Sequence, residues 1–331
     1  MGTGHQVNIS GHVSDQNPSG ILVALSGHVA ANVTTNSSGN FSYSGTASSL
    51  GTESALATDS QNLSSDTVQT QIVDNPPVVA NLSVAETGSG KNVLVTGQVQ
   101  SASPGGLTVS LWGEVTASPV TNSSGTFSVT TQAAALGTID ASTTDIWGVG
   151  SATTQTQLTN AAPGVTVSAT ETGPNRTLTV SGHVTDSVEA GAVVTISGIV
   201  SGTATTDSSG NYSLVAQASG QGTLSVSATD IWGLVSTVVK TSYASKAPVI
   251  TLNASVSNGG MYVFTGTVTD EVAPGLTVTL SGVVGGSCTV RADGTFEYDS
   301  SLQYGAADGV EYATVTDWWG NTSNTAQCWV D

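Results

Sequence analysis

The sequence predicts an all-β chain: four tandem antiparallel β-sandwiches of about seven strands each, strung into an extended rod. Two observations carry that prediction. Apolar residues alternate with polar ones along short runs, and no segment shows a helical period. The same landmarks also return in the same order at near-constant spacing, the signature of a repeat array.

The first landmark is Gly-x-Val, at Gly11/Val13, Gly97/Val99, Gly182/Val184 and Gly266/Val268. The second is Ser26-Gly27, Trp112-Gly113, Ser197-Gly198 and Ser281-Gly282. The third pairs a glycine with an aromatic residue two positions on, at Gly39/Phe41, Gly125/Phe127, Gly210/Tyr212 and Gly294/Phe296. From one copy to the next these three advance by 86, 85 and 84 residues. The fourth is Thr-Asp, at Asp59, Asp145, Asp230 and Asp317.

Within a repeat, the first landmark ends an alternating run: Val7, Ile9 and Val13, then Val93, Val95 and Val99, then Leu178, Val180 and Val184, then Tyr262, Phe264 and Val268. Period two means a strand with one buried face. A second alternating run follows, as in Ile21-Val23-Leu25 and Leu107-Val109-Leu111, and stops at the glycine of the second landmark. Asn36-Ser37-Ser38-Gly39, Asn122-Ser123-Ser124-Gly125, Asp207-Ser208-Ser209-Gly210 and Asp293-Gly294 carry turn chemistry between strand-like runs and read as hairpin tips. Joints are legible as proline-bearing segments, Asp74-Asn75-Pro76-Pro77, Asn160-Ala161-Ala162-Pro163 and Ser245-Lys246-Ala247-Pro248, each followed by a fresh apolar run. They set repeats over 1–74, 75–160, 161–246 and 247–331. The first repeat starts directly at its second strand, without the opening strand of the others, so the chain is expected to be a segment of a longer array. Its open sheet edge invites self-association or pairing with neighbouring repeats.

Composition narrows the function. The 331 residues include only 5 Lys and Arg against 23 Asp and Glu, a formal charge of −18, which excludes the clustered basic surface that nucleic-acid binding requires. No stretch approaches the roughly 18 apolar residues of a membrane helix, and Met1–His5 has neither the basic nor the apolar region of a leader. Gly-x-Ser-x-Gly, His-Glu-x-x-His and P-loop motifs do not occur. His12 and His183 stand at equivalent positions whose counterparts are Gln98 and Thr267, which suits solvent-facing strand sites better than a catalytic base. No enzyme is expected.

The proline-led openings, Val-Thr-Asp, Leu-Thr-Val-x-Leu-Ser-Gly, Asp-x-x-Gly-x-Phe and Thr-Asp-x-Trp-Gly together resemble tandem bacterial immunoglobulin-like repeats of large secreted or surface-attached proteins, including those of planctomycete type. The resemblance covers the whole chain. It implies a secreted or cell-surface stalk or adhesin-like element without catalysis. The first repeat departs from it, with Gln61 where the others carry tryptophan.

Three sets of side chains are candidates for chemistry. Asp15, Asp186 and Asp270 end the second strand, and Asp59, Asp230 and Asp317 lie in the last hairpin; in an immunoglobulin-like sandwich these loops share one end. Calcium is the cation such oxygen ligands suit, although two carboxylates per site are few, and the alternative is that each Asp caps its own turn. Trp147, Trp232 and Trp319 sit at hairpin tips, where an indole needs cover; either the preceding repeat and its proline joint supply it, or the rings stack on a glycan or matrix ligand. Cys288 and Cys328 both fall in the last repeat and are expected to form a disulfide.

An extended rod makes a size prediction. Small-angle scattering should return a radius of gyration well above the roughly 20 Å of a compact chain this long; a value near that figure would contradict the rod.

Overall fold

The computed structural model describes residues 4–331; the first three residues of the segment searched for a leader lie outside them. The chain divides into two compact units, residues 1–160 and 161–331. Among the described residues there is no helix, and hence none long and apolar enough to cross a membrane.

In the first unit, the strands are β1 (Gln6–His12), β2 (Leu22–Ser26), β3 (Ala31–Thr34), β4 (Asn40–Thr46), β5 (Gly51–Thr58) and β6 (Val68–Ile72), then β7 (Val78–Gly88), β8 (Asn92–Gln100), β9 (Val109–Gly113), β10 (Thr126–Gln132), β11 (Gly137–Thr143) and β12 (Thr154–Leu158). They pair antiparallel as β1-β4, β3-β2-β5-β6, β10-β8-β7 and β12-β11-β9. The second unit opens with β13 (Gly164–Val165), β14 (Ser168–Gly173), β15 (Thr177–Thr185), β16 (Val193–Gly198), β17 (Gly202–Thr205), β18 (Asn211–Gln217), β19 (Gly222–Thr229) and β20 (Val239–Tyr243). It continues with β21 (Val249–Ile250), β22 (Asn253–Val256), β23 (Met261–Thr269), β24 (Thr277–Gly282), β25 (Gly286–Thr289), β26 (Thr295–Gln303), β27 (Gly309–Val315) and β28 (Ala326–Val330). There β13, β14 and β18 flank β15, and β21, β22 and β26 flank β23; the other sheets run β17-β16-β19-β20 and β25-β24-β27-β28. This is an all-β, immunoglobulin-like arrangement of antiparallel sheets.

The alternation seen in sequence is the inward face of these strands. Val93, Val95 and Val99 on β8, Leu178, Val180 and Val184 on β15, and Phe264 on β23 are almost completely buried. Two landmarks turn out to be halves of one contact: Gly11 lies opposite Phe41, Gly97 opposite Phe127, Gly182 opposite Tyr212 and Gly266 opposite Phe296 across the ladder. The ring folds over the bare glycine, and a Cβ at Gly97 would come within 2.5 Å of the Phe127 ring. Glycine and aromatic therefore recur together because each fills the other's space. At the hairpin tips, Asn36, Asn122 and Asp207 each accept two backbone N–H groups through Oδ1, from Ser38 and Asn40, Ser124 and Thr126, and Ser209 and Asn211. Gly125 closes its tip at φ 78°, a left-handed conformation that favours glycine.

The opening strand differs between repeats. In the second, β7 runs along β8 with a register shift between Ala80 and Ser83; in the third and fourth the same role is split between β13 and β14 and between β21 and β22. In the first repeat β1 pairs only with β4 among the described residues.

The disulfide expectation is overturned. Cys288 is on β25 and Cys328 on β28, the two opposite edges of one four-stranded sheet, and both thiols are free. Three strand spacings of about 4.8 Å put their backbones at least about 14 Å apart, twice the roughly 7 Å limit for a bridge, and the two lie on different rows of the sheet, Cys288 level with Val315 and Cys328 with Glu311. Both side chains pack beside the core of the last repeat, and burial pushes both thiols above the ordinary cysteine range. They serve there as small apolar residues. A thiol reagent should therefore modify both only when the chain is unfolded, and peptide mapping without reductant should recover no Cys288–Cys328 linkage; a linked peptide from folded, oxidised protein would contradict this placement.

Candidate functional site

A constellation of polar side chains lies in the second compact unit, where the last hairpin of the fourth repeat meets strands of the third. Its centre is Glu171 on β14, only 6% exposed. Glu171 Oε2 accepts two hydrogen bonds, from the Tyr243 hydroxyl at the end of β20 (2.8 Å) and from Trp319 Nε1 (2.7 Å). The two donors also touch each other, with ring centroids 4.9 Å apart and planes tilted by 41°. Trp319 thereby packs against the apolar core of the third repeat while its own backbone belongs to the fourth. Hydrogen bonds to a carboxylate are stronger than neutral ones, and this one fixes two aromatic rings from segments far apart in sequence. Burial, then the Glu171 carboxylate, raises the Tyr243 hydroxyl above the ordinary phenol range, which keeps it a donor.

The hairpin tip that presents Trp319 is held by Asp317. Asp317 Oδ1 accepts the backbone N–H groups of Trp319 (2.9 Å) and Asn321 (2.7 Å), and Oδ2 accepts from Ser245 Oγ (3.2 Å) and Asn321 Nδ2 (2.8 Å). Ser245 belongs to the proline-bearing joint, so one carboxylate shapes the tip and pins the linker. The sister tips are built alike: Asp59 Oδ1 accepts from Gln61 and Leu63, Asp145 Oδ1 from Trp147 and Val149, and Asp230 Oδ1 from Trp232 and Leu234.

In the first compact unit Trp147 also leaves its own tip. Its ring stacks on His5 at 4.2 Å with an interplanar angle of 17°, and it packs beside the core of the first repeat. A His5 ring nitrogen also lies 2.8 Å from the Ile146 carbonyl oxygen. All three tip tryptophans are half-buried.

The acidic pairs are placed unequally. Asp15 Oδ1 accepts from Asn17 N, Asp186 Oδ1 from Ser187 N and Asp270 Oδ1 from Val272 N, so each holds its own turn. Around Asp270 carboxylates gather into a field. Burial first, and then the charges of Glu271, Asp317 and Glu171, push its carboxyl above the ordinary range, against the pull of the Val272 N–H. Asp270 Oδ2 and Glu171 Oε1 are buried and accept no hydrogen bond among the described residues. Calcium demands six to eight oxygen ligands, and among the described residues no group of three or more His, Cys, Asp or Glu side chains is placed to hold a metal ion. The turn bonds use up much of the oxygen surface that a cation would need.

Glu171 and Tyr243 were not among the residues singled out by sequence. A signal existed in Glu86-Thr87-Gly88 and Glu171-Thr172-Gly173, which repeat 85 residues apart at the end of the opening strand. The fourth repeat has Val256 at the matching ladder position, opposite Tyr262 as Glu171 is opposite Leu178.

No family model matches the chain, and no curated protein matches it. Solved structures do. A Ca2+-stabilised adhesin with which an Antarctic bacterium binds ice is 20% identical over 99% of this chain and 94% of its own, at a TM-score of 0.24. The BSP domain of a biofilm-associated protein is 12% identical over 99% and 96%, at 0.25. Invasin, a bacterial integrin-binding protein, is 13% identical over 100% and 76%, at 0.35. At such identities and scores these matches carry nothing about what this chain binds.

The electrostatic strain at Asp270 has a pH signature. A carboxyl whose folded value is raised contributes stability that is full below its ordinary value and lost as pH rises through the raised one. Asp270→Asn keeps the Val272 bond and removes the charge, so the second unit should melt at a higher temperature near pH 7, by an amount that solvent screening of this part-exposed group keeps small. Calorimetry near pH 7 and near pH 3 checks this, the advantage vanishing at the lower pH.

Proposed function

We propose that this chain is a non-catalytic structural and adhesive segment of a secreted or cell-surface protein, in which sandwiches over 1–74, 75–160, 161–246 and 247–331 act as spacers joined through their hairpin tips. The observation that carries this reading is the clamp of Trp319, Tyr243 and Glu171, which ties the tip of one repeat to the first and last strands of the repeat before it. A linker of a few residues swivels unless something holds it, and burying part of an indole against a neighbour is worth roughly 1.5–3 kcal/mol. Trp147 is proposed for the same task through His5, and Trp232 stands at the equivalent tip of the third repeat. A surface with few charges and many hydroxyls suits an element that extends without sticking along its length.

The alternative use of the tips, stacking on a glycan or matrix ligand, draws less support, because the Trp319 indole N–H and the Trp147 ring face are already engaged inside the protein. Calcium enters the proposal only as a counter-charge for the Asp270, Asp317 and Glu171 field, where it would add modest stiffness.

The test is a distance measurement between spin labels on the third and fourth repeats. Trp319→Ala should leave the strand signal in circular dichroism unchanged and broaden the distance distribution, and a chelator should broaden the wild-type distribution slightly. Identical distributions for wild type and mutant would overturn the joint role and move the tryptophans toward ligand binding.

A further inference from the structure

One row of side chains recurs across three strands in every repeat, and in the second repeat it changes character. In the first it reads Ser26 on β2, Ser54 on β5 and Gln69 on β6; in the third, Ser197 on β16, Ser225 on β19 and Lys240 on β20; in the fourth, Ser281 on β24, Tyr312 on β27 and Gln327 on β28. In the second the same row is Trp112 on β9, Asp140 on β11 and Gln155 on β12. Trp112 and Asp140 stand directly opposite each other in the ladder, so the two departures from serine are one paired change. Val109 and Leu111 turn inward on β9 and are buried, which by strand alternation aims Trp112 outward, where it is 39% exposed. Gln155 Nε2 donates to Asp140 Oδ1 at 2.6 Å and, one row along, Gln157 Nε2 donates to Thr138 Oγ1 at 2.7 Å. An outward indole is thus flanked by a carboxylate and two carboxamides whose positions are already fixed.

We infer that this row is a binding platform for a neutral glucopyranose chain. The sister repeats build the same sheet with serine at the tryptophan position, so the ring is not there to complete a core. A pyranose with equatorial hydroxyls carries C–H bonds on its faces, which lie flat on an indole, and hydroxyls round its edge, which meet the polar groups beside the ring. Asp140 offers those hydroxyls a charged acceptor, the stronger kind of hydrogen bond, and Gln155 holds it in place. Other occupants fit less well. An anionic partner meets Asp140 and a chain of formal charge −18. A protein interface has a cluster of apolar side chains at its centre, whereas the neighbours of this ring are Ser110, Thr138, Ser142, Gln155 and Gln157. A quaternary ammonium is held by several enclosing rings, and here there is one. The inference names a ligand class for the adhesive part of the proposed role and is independent of the joints, so the spin-label test and the one below can fail separately.

The probes are cellohexaose and maltohexaose, titrated into the isotope-labelled full chain and followed by the indole N–H resonances of its six tryptophans. At least one sugar should move the Trp112 resonance along a saturation curve with a Kd of about 1 mM, the affinity of a single open platform, while those of Trp147, Trp232 and Trp319 stay in place. Trp112→Ser, the residue of the three sister repeats, should abolish saturation transfer from protein to sugar protons, and Asp140→Ser should weaken binding about tenfold. Both variants should keep the strand signal in circular dichroism, since sister repeats fold with serine at these positions. A Trp112 resonance that neither sugar moves, or saturation transfer that survives Trp112→Ser, would overturn the proposal. So would shifts at Trp147, Trp232 or Trp319 in its place, which would put the sugar at the tips, and so would tetramethylammonium or an oligogalacturonate moving the Trp112 resonance as far as the neutral sugars do.

Discussion

Covering the second strand of each sandwich is the constraint on which the rest of this structure depends. The cores are built mainly from valine, leucine, isoleucine and alanine, with one aromatic ring in each repeat folded over a glycine on that strand and Tyr262 and Phe264 added in the fourth. Small side chains bury little area each, about 1.5–3 kcal/mol apiece when fully covered, so the loss of one row matters. Where an opening strand lies alongside, as β7, β14 and β22 do, the inner face is sealed. In the first repeat, where no described strand lies on that edge of β1, Val7, Ile9 and Val13 are only half-buried.

The opening strand has a second use, which links packing to assembly. Its far end carries Glu171, and that carboxylate receives the indole of the following repeat together with a tyrosine from the last strand of its own. In a chain where charged residues are 8% of the total, a buried charge must be heavily employed to be tolerated. Two strong donors on one oxygen meet that condition, and the leftover oxygen, beside Asp270 and Asp317, explains why this end of the fourth repeat is electrostatically uncomfortable. Where the first repeat meets the second, the opening strand is missing and the contact changes kind: Trp147 finds a histidine ring instead.

The architecture was legible because its causes are local. Period-two alternation, Asn-Ser-Ser-Gly tips and proline-bearing joints each act over a few residues, and the glycine and aromatic landmarks keep one period because they are cross-strand partners. The site was less legible because its members are distant: Trp319 and Glu171 are 148 positions apart, and nothing in the run Thr170-Glu171-Thr172 marks the carboxylate as buried. Turn capping by Asp59, Asp145, Asp230 and Asp317 was one of two readings open to the sequence, and the backbone bonds each makes are now explicit. The cysteines failed as a pair for a topological reason. Proximity in a repeat does not bring together two edge strands that have two others between them.

The most direct test of the central constraint is native-state hydrogen exchange resolved to single amides in dilute, monomeric chain. The amides of β1 should exchange at least ~10-fold faster than the matching amides of β8, β15 and β23, because an uncovered edge opens without disturbing the remaining core. Equal protection of β1 and β15 under those conditions would show that the first sandwich closes without an opening strand, and would contradict the account.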